Sequence, residues 1–367
     1  MKPHHIFAEA IDGKALSQFY DGLKQDFAVR GALMPDAHAG YALPIGAVVA
    51  TDGVVVPAWV GYDIGCGMCA LPLNIGGEDI RANAKAIFDQ IYRDIPTGFS
   101  HNQKAEEWPD GEKIERTSVI QQQLDDGALR QLGSLGSGNH FIEIGEDEAG
   151  GAWVVIHSGS RNVGHKTATH YMKLASPDGK AREDHLPLRI GTAEGDAYVV
   201  DLRFCLAFAL ENRLRMMQRV VAAVQRHAGL CNPDWWDGFI NRNHNHAEPR
   251  DGLWIHRKGA THAEDGVMGV IPGNMRDGSF IVRGKGNSDA LYSSSHGAGR
   301  VLGRKQAKEA LKVEDFTETM VGIVAKVDMA TLDESPFAYK SIFDVMAQQA
   351  DLVEVVHHVR PIINIKG

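Results

Sequence analysis

From about residue 195 to a stop at Gly229 the chain carries one continuous apolar stripe at helical spacing: Leu202, Leu206, Ala209, Leu210, Leu214, Met217, Val221 and Val224. A single helix of that length, about 50 Å at 1.5 Å per residue, is a structural spine around which everything else must pack. Short strand-like runs flank it in sequence, Trp153-Val154-Val155-Ile156, Leu253-Trp254-Ile255, Ser279-Phe280-Ile281-Val282 and Ile362-Ile363-Asn364-Ile365. Residues 15–33 (Leu16, Phe19, Tyr20, Leu23, Phe27) and the set Ile80, Ala84, Ile87, Phe88 and Ile91 read as two amphipathic helices. Between them, residues 34–73 alternate Val/Ile/Ala runs with Gly, Pro and Asp, the texture of buried strands joined by tight turns. Residues 100–126 are polar enough for a flexible excursion. With no internal repeat, low-complexity linker or change of composition, one α+β domain spanning residues 1–367 is expected.

Charge sets the first limit on function. Lys and Arg total 38 against 47 Asp and Glu, a formal net charge of −9, too acidic to coat nucleic acid broadly, so any RNA contact must be local. No apolar stretch reaches the roughly 18 residues of a membrane helix; the run Ile45-Gly46-Ala47-Val48-Val49-Ala50 stops at Thr51-Asp52-Gly53. The start, Met1-Lys2-Pro3-His4-His5, lacks the order of a secretory signal, and four cysteines in 367 residues make no disulfide scaffold. A cytoplasmic, reducing location is expected. Seventeen histidines, set beside Gly, Asn and Ser, point to metal or proton chemistry.

The densest cluster is Gly61-Tyr62-Asp63-Ile64-Gly65-Cys66-Gly67-Met68-Cys69, a glycine-rich loop with a carboxylate and a thiol three residues apart. It either wraps a cation or is a tight turn with a buried thiol. Cys66-X-X-Cys69 also invites zinc, but no second such pair follows and Cys205 lies on the long helix. His140, His157 and His244 each border a strand end, where loops can converge. With Asp63 and Cys66 they could hold two divalent ions bridged by the thiolate, a mixed donor set suiting manganese or zinc better than magnesium. Taken singly, each is as readily a satisfied structural histidine. Gly133-Ser134-Leu135-Gly136-Ser137-Gly138 lacks dinucleotide-fingerprint spacing and runs into a strand, and no Walker-type loop is present. In Ser293-Ser294-Ser295-His296-Gly297-Ala298-Gly299-Arg300 a glycine-flanked His opens an expected helix through Lys305, Ala307 and Leu311. That is either a plain helix cap or a phosphate site with a nucleophilic His.

These motifs, with Met34-Pro35-Asp36-Ala37-His38-Ala39-Gly40, Gly136-Ser137-Gly138-Asn139-His140-Phe141, His157-Ser158-Gly159-Ser160-Arg161, Arg257-Lys258-Gly259-Ala260 and Ile271-Pro272-Gly273, resemble the RtcB-type RNA ligases, in the family's order and over nearly the whole chain to Ile365-Lys366-Gly367. The resemblance implies a single large RtcB-like domain of mixed β-sheets surrounded by helices. It also implies a GTP- and manganese-dependent enzyme joining an RNA 3′-phosphate, or an opened 2′,3′-cyclic phosphate, to a 5′-hydroxyl, in tRNA splicing or RNA repair. By that resemblance His296 takes GMP onto its imidazole. Asp63, Cys66 and His140 surround one manganese ion, and Cys66, His157 and His244 the second. Asn139, Glu143, Asn274, Gly297, Ala298, Gly299, Tyr339 and Lys366 join His296 in holding the nucleotide, Asp36 lies near the 5′-hydroxyl end, and Arg161 and Arg300 hold phosphates. An archease-like activator joins RNA and GTP among the implied partners, although dependence on it is not written in the ligase chain. Asn274 stands where the family commonly has Ser, and Cys69 where another residue is usual. Two other functions use the same residues: a di-metal phosphohydrolase in which His296 is never modified, and a non-catalytic RNA-end binding protein.

Overall fold

The computed structural model describes residues 2–229 and 238–367. The spine is one helix, Ala193–Ala228, of 36 residues. Thr192 caps its start by accepting from Gly195 N, and Gly229 ends it at φ +99°, where a Cβ would be strained. The chain is α+β, with two main sheets. In the larger, the strands Met268–Pro272, Ser279–Gly284, Val353–Lys366, Phe141–Glu146, Gly151–Ser158, Gly67–Gly76 and Ile240–Asn243 follow in that spatial order, and Val324–Ala325 adds to Val353–Lys366. The first strand returns to the last, Arg242 Nε donating to Met268 O at 3.2 Å, so the sheet nearly closes into a barrel.

Strand alternation assigns the two faces of that sheet. Met68, Ala70, Phe141, Val155, Ile240, Val270 and Ile281 form the inner core. Cys69, Leu71, Ile142, Ile144, Val154 and Ile156 point the other way, onto Met216, Met217, Val220 and Val224 of the spine and onto Ile80, Ile87 and Ile91 of the helix Gly77–Asp94. The second sheet runs His4–Ile6, Ala28–His38, Ile45–Thr51, Leu253–Lys258, Asn245–Arg250. Leu33, Ala47 and Val49 pack on Phe19, Leu23 and Trp59, while Ala32, Met34, Val48 and Ala50 face Ile271 and Phe280 of the larger sheet.

Three local expectations change. The helix expected over 15–33 is Gly13–Leu23, and Ala28–His38 is a strand. Gly31 is a poor helix residue, and pairing of residues 28–33 with Ile45–Thr51 overrides the local period. Residues 100–126 are not a loose excursion: they hold the helices Pro109–Glu112 and Ser118–Asp125. Trp108 meets Phe204 and Phe208 edge-on, and Asp201 of the spine accepts from Thr117 N at 2.9 Å and from its hydroxyl at 2.7 Å. Finally, His296 does not open a helix. The helix after it is Arg304–Ala310, and His296 sits in the preceding loop, where Gly299 at φ +75° brings backbone so close to Asp36 O that a Cβ would collide with it.

Candidate active site

Strand ends of both sheets converge on Cys66. Its Sγ lies 3.1 Å from His157 Nε2 and 3.4 Å from His140 Nε2; His140 Nε2 is 3.0 Å from Asp63 Oδ2, and His157 Nε2 is 3.3 Å from His244 Nε2. Two ligand groups result, Asp63/Cys66/His140 and Cys66/His157/His244, sharing the sulfur. The far side of each ring tells which nitrogen carries the proton. His140 Nδ1 donates to Leu135 O at 3.0 Å and His157 Nδ1 to Asn139 O at 3.1 Å. A carbonyl only accepts, so Nδ1 carries a proton on both rings, which leaves Nε2 as the atom each ring can offer to a cation. Burial, and then neighbouring rings, hold His157 and His244 well below the usual imidazole range, neutral as ligands must be. Burial and the Asp63 carboxylate push the Cys66 thiol well up, so a thiolate here needs a cation. Lone pairs facing one another around one buried sulfur fit two divalent ions. Cys69, on the opposite face of its strand, packs against the spine and belongs to neither group; burial pushes its thiol up to about 12.

The spine aims these loops. Asn212 Oδ1 accepts from Gly133 N at 2.7 Å and Ser134 N at 3.1 Å, while its Nδ2 donates to Gly159 O at 3.1 Å. Next to it, fully buried Arg213 donates to Gly65 O at 2.9 Å, Ser158 O at 2.8 Å, Asn241 Oδ1 at 2.7 Å and Asn243 Oδ1 at 2.6 Å. Four ligand-bearing segments are thus fixed to one helix. At Gly159 any Cβ would collide with Asp63 Oδ1.

His296 stands beside the second group, its ring centroid 4.7 Å from that of His244. Asp36 Oδ2 accepts from His296 Nδ1 at 2.7 Å and from its backbone N at 3.2 Å. The carboxylate fixes the tautomer with the proton on Nδ1 and the Nε2 lone pair free, the arrangement of an oriented nucleophile. Asp36 is fully buried with Oδ1 unpartnered. A cavity of about 290 Å³ opens from His296 and is lined by Asn139, Glu143, Asn274, Gly297, Ala298, Gly299, Arg300, Tyr339 and Lys366. Glu143 is buried with Oε1 unpartnered, and burial pushes its carboxyl up to about 8. Lys366 Nζ pairs with Glu334 Oε2 at 2.8 Å, Tyr339 donates to the same oxygen at 2.6 Å, and Arg300 and Arg304 reach Oε1 at 3.2 Å and 2.8 Å. Asn274 lines the cavity with its side chain engaged in its own turn, Oδ1 accepting from Arg276 N and Asp277 N and Nδ2 donating to Asp277. Arg161 lies elsewhere, in a second cavity that Asp63 and His140 also line.

Two segments of the chain, residues 24–121 and 109–367, match the family model described as tRNA-splicing ligase RtcB. The chain belongs to the RtcB family. Among RtcB relatives it is 35% identical to the RNA-splicing ligase RtcB of Escherichia coli K12 over 97% of this chain and 95% of that protein. It is 30% identical to the tRNA-splicing ligase RtcB of Pyrobaculum aerophilum, over 91% of this chain and 87% of the other. With the RNA-splicing ligase RtcB of Mycobacterium tuberculosis H37Rv the identity is 29%, over 91% and 96%. No helix among the described residues is long and apolar enough to cross a membrane.

The sequence reading of this RtcB chain missed Glu334, Arg304, Asn212 and Arg213. For the last two a signal existed: an Asn-Arg pair set within the apolar stretch of a helix that buries itself. Glu334 and Arg304 sit in ordinary polar sequence and offered none. A third group, His246/Glu248/His262, is ligand-like in composition. Buried Arg257 already fills it, donating to His246 Nε2 at 3.1 Å and to Glu248, so it is an ion-pair network in place of a cation site.

Proposed function

We propose that this chain is a GTP-dependent RNA ligase that seals RNA 3′-phosphate ends to 5′-hydroxyl ends through GMP carried on His296, in the cytoplasm, where a reduced Cys66 persists. The observation that carries this is His296 itself, Nδ1 held by Asp36 at 2.7 Å and the ring against the Cys66-centred group. Joining a phosphomonoester to a hydroxyl expels water unless the phosphate first gains a leaving group. His296 Nε2 attacks the α-phosphorus of GTP and pyrophosphate departs; the RNA 3′-phosphate then takes GMP from the histidine, and the 5′-hydroxyl displaces GMP to form the phosphodiester. Asp36 balances the charge that His296 gains on bonding phosphorus. Asp63, Cys66, His140, His157 and His244 would hold two divalent ions, manganese in our reading, which neutralise phosphate charge when bound. Arg300 and Arg304, kept in place by Glu334, and Arg161 in the second cavity bring cationic donors to phosphate oxygens.

Specificity for guanine follows from Glu143. Guanine offers N1–H and N2–H₂ donors to a buried acceptor, whereas adenine N1 is itself an acceptor. The reading is supported by an unpartnered Glu143 Oε1 in the cavity wall. The test is incubation of the chain with Mn2+, GTP and two RNAs, one ending in 3′-phosphate and one beginning with 5′-hydroxyl. Joined product is expected. Release of inorganic phosphate without joining would establish the phosphohydrolase, and binding without either product the RNA-end binding protein. The same assay with and without an archease-like activator asks whether turnover depends on it.

A further inference from the structure

The cavity on the other side of the metal-ligand cluster is larger than the nucleotide cavity, about 470 Å³, and Asp63 and His140 form part of its wall. Its remaining lining has a different character. Phe99 is 98% exposed, a large apolar ring with nothing packed over it. Tyr62 stacks on His165, ring centroids 4.9 Å apart and planes 20° from parallel. The same cavity is lined by Arg161, which opens the helix Arg161–Ala175 at φ +60°, a conformation non-glycine residues rarely adopt. Its guanidinium is bonded only at long range, to Ser134 Oγ at 3.4 Å and Gly98 O at 3.3 Å. A strained backbone thus fixes a cation with donors to spare. His101, Gln131 and Asn162 also line a further cavity of about 200 Å³, whose wall adds Arg130 and Lys166 together with Asp126.

We infer that this second cavity seats the last nucleotide of an RNA strand ending in 3′-phosphate, its base on the Phe99 and Tyr62–His165 rings and its phosphate on Arg161. The inference rests on the ligase reading and adds a base site to it. Aromatic faces beside a basic track are how proteins hold single strands without reading sequence, since every base has a face to stack. A 5′-hydroxyl end carries no terminal charge for Arg161 to bind, so the phosphate-bearing end is the occupant. Placement in a local channel also reconciles an RNA ligand with a net charge of −9.

Fluorescence anisotropy on the full chain with Mn2+ tests this, using a single-stranded RNA ending in 3′-phosphate with its last nucleotide either intact or abasic. The parent should bind the abasic strand about tenfold more weakly, as loss of one stacked base implies. Phe99→Ala and Tyr62→Leu should weaken the intact strand by about the same factor and leave the abasic strand unchanged. Phe99, being fully exposed, can be removed without disturbing the fold, as an unchanged circular dichroism spectrum would show. Equal binding of intact and abasic strands by the parent, no RNA binding by the parent, or parent-like binding by both variants would each overturn the base site. A parent that fails to take label from GTP overturns the ligase reading instead, whatever the RNA arms show.

Discussion

On the proposed reading, the proton on His296 Nδ1 decides which nitrogen attacks. Asp36 can only accept it; in Asp36→Asn the amide can donate to Nδ1 instead, favouring the tautomer with the proton on Nε2. Transfer of GMP to the chain should then slow by about 10²-fold or more, with GTP binding little changed, as a rapid-quench labelling experiment would show. Glu143 makes a second prediction. Its carboxyl ordinarily titrates near 4.5 and burial raises it to about 8 in the free chain. Between those values the folded chain keeps a proton that the unfolded chain has lost, so stability falls as pH rises through the window. Urea unfolding of the nucleotide-free chain at pH 5 and pH 8 should show that fall, and Glu143→Gln should flatten it. A steeper slope in the variant would contradict the assignment. Asp36 stood out within the short motif Met34–Gly40, whereas Glu143, in a strand outside any such motif, was marked only by the position it matches in the resemblance. Which proton each holds was not legible, since it depends on Ser295–His296 and Asp36 meeting across 260 positions.

At the scale of elements, the spine converts helix rigidity into site geometry. Asn212→Ala would leave Gly133 N buried without an acceptor, at about 1–3 kcal/mol, and Ser134 N with Gln131 O alone at 3.2 Å. The variant should unfold at lower urea concentration and bind metal less tightly; unchanged metal affinity would mean that the loops hold themselves. Hydrophobic period alone revealed this helix and its stop at Gly229, because one face of 36 residues is a strong signal. The same rule failed over residues 15–33. There the apolar residues serve a helix and then a strand, and only pairing with Ile45–Thr51, invisible locally, decides the change. Residues 100–126 failed for a related reason: Trp108 and Ile120 are buried against the spine and its neighbours, not by one another, and Thr117 is held by Asp201 of the spine.

For the whole molecule, both sheets, the spine and the carboxyl-terminal strand must be assembled before the whole candidate site exists, since Asp36, Cys66, His244, His296 and Lys366 come from separated segments. Motif order along the chain pointed to that assembly, whereas the Glu334 hub, built from four residues with no shared motif, became visible only in three dimensions. Lys366 is ordered by pairing with Phe141 in the strand Val353–Lys366 and by Glu334. Removing residues 366 and 367 should therefore lower labelling by GTP at least about tenfold, the value of one buried charged hydrogen bond, with circular dichroism unchanged. Intact labelling after this truncation would move the guanine site away from Lys366. Chelation should lower the melting temperature of the full chain and Mn2+ should restore it, because ions that bind the folded form stabilise it. The most direct measurement is incubation with α-labelled GTP and Mn2+, followed by denaturation. The chain should retain an acid-labile label, and His296→Ala should retain none while still holding two metal ions; label on His296→Ala, or none on the parent, would contradict covalent chemistry at this histidine.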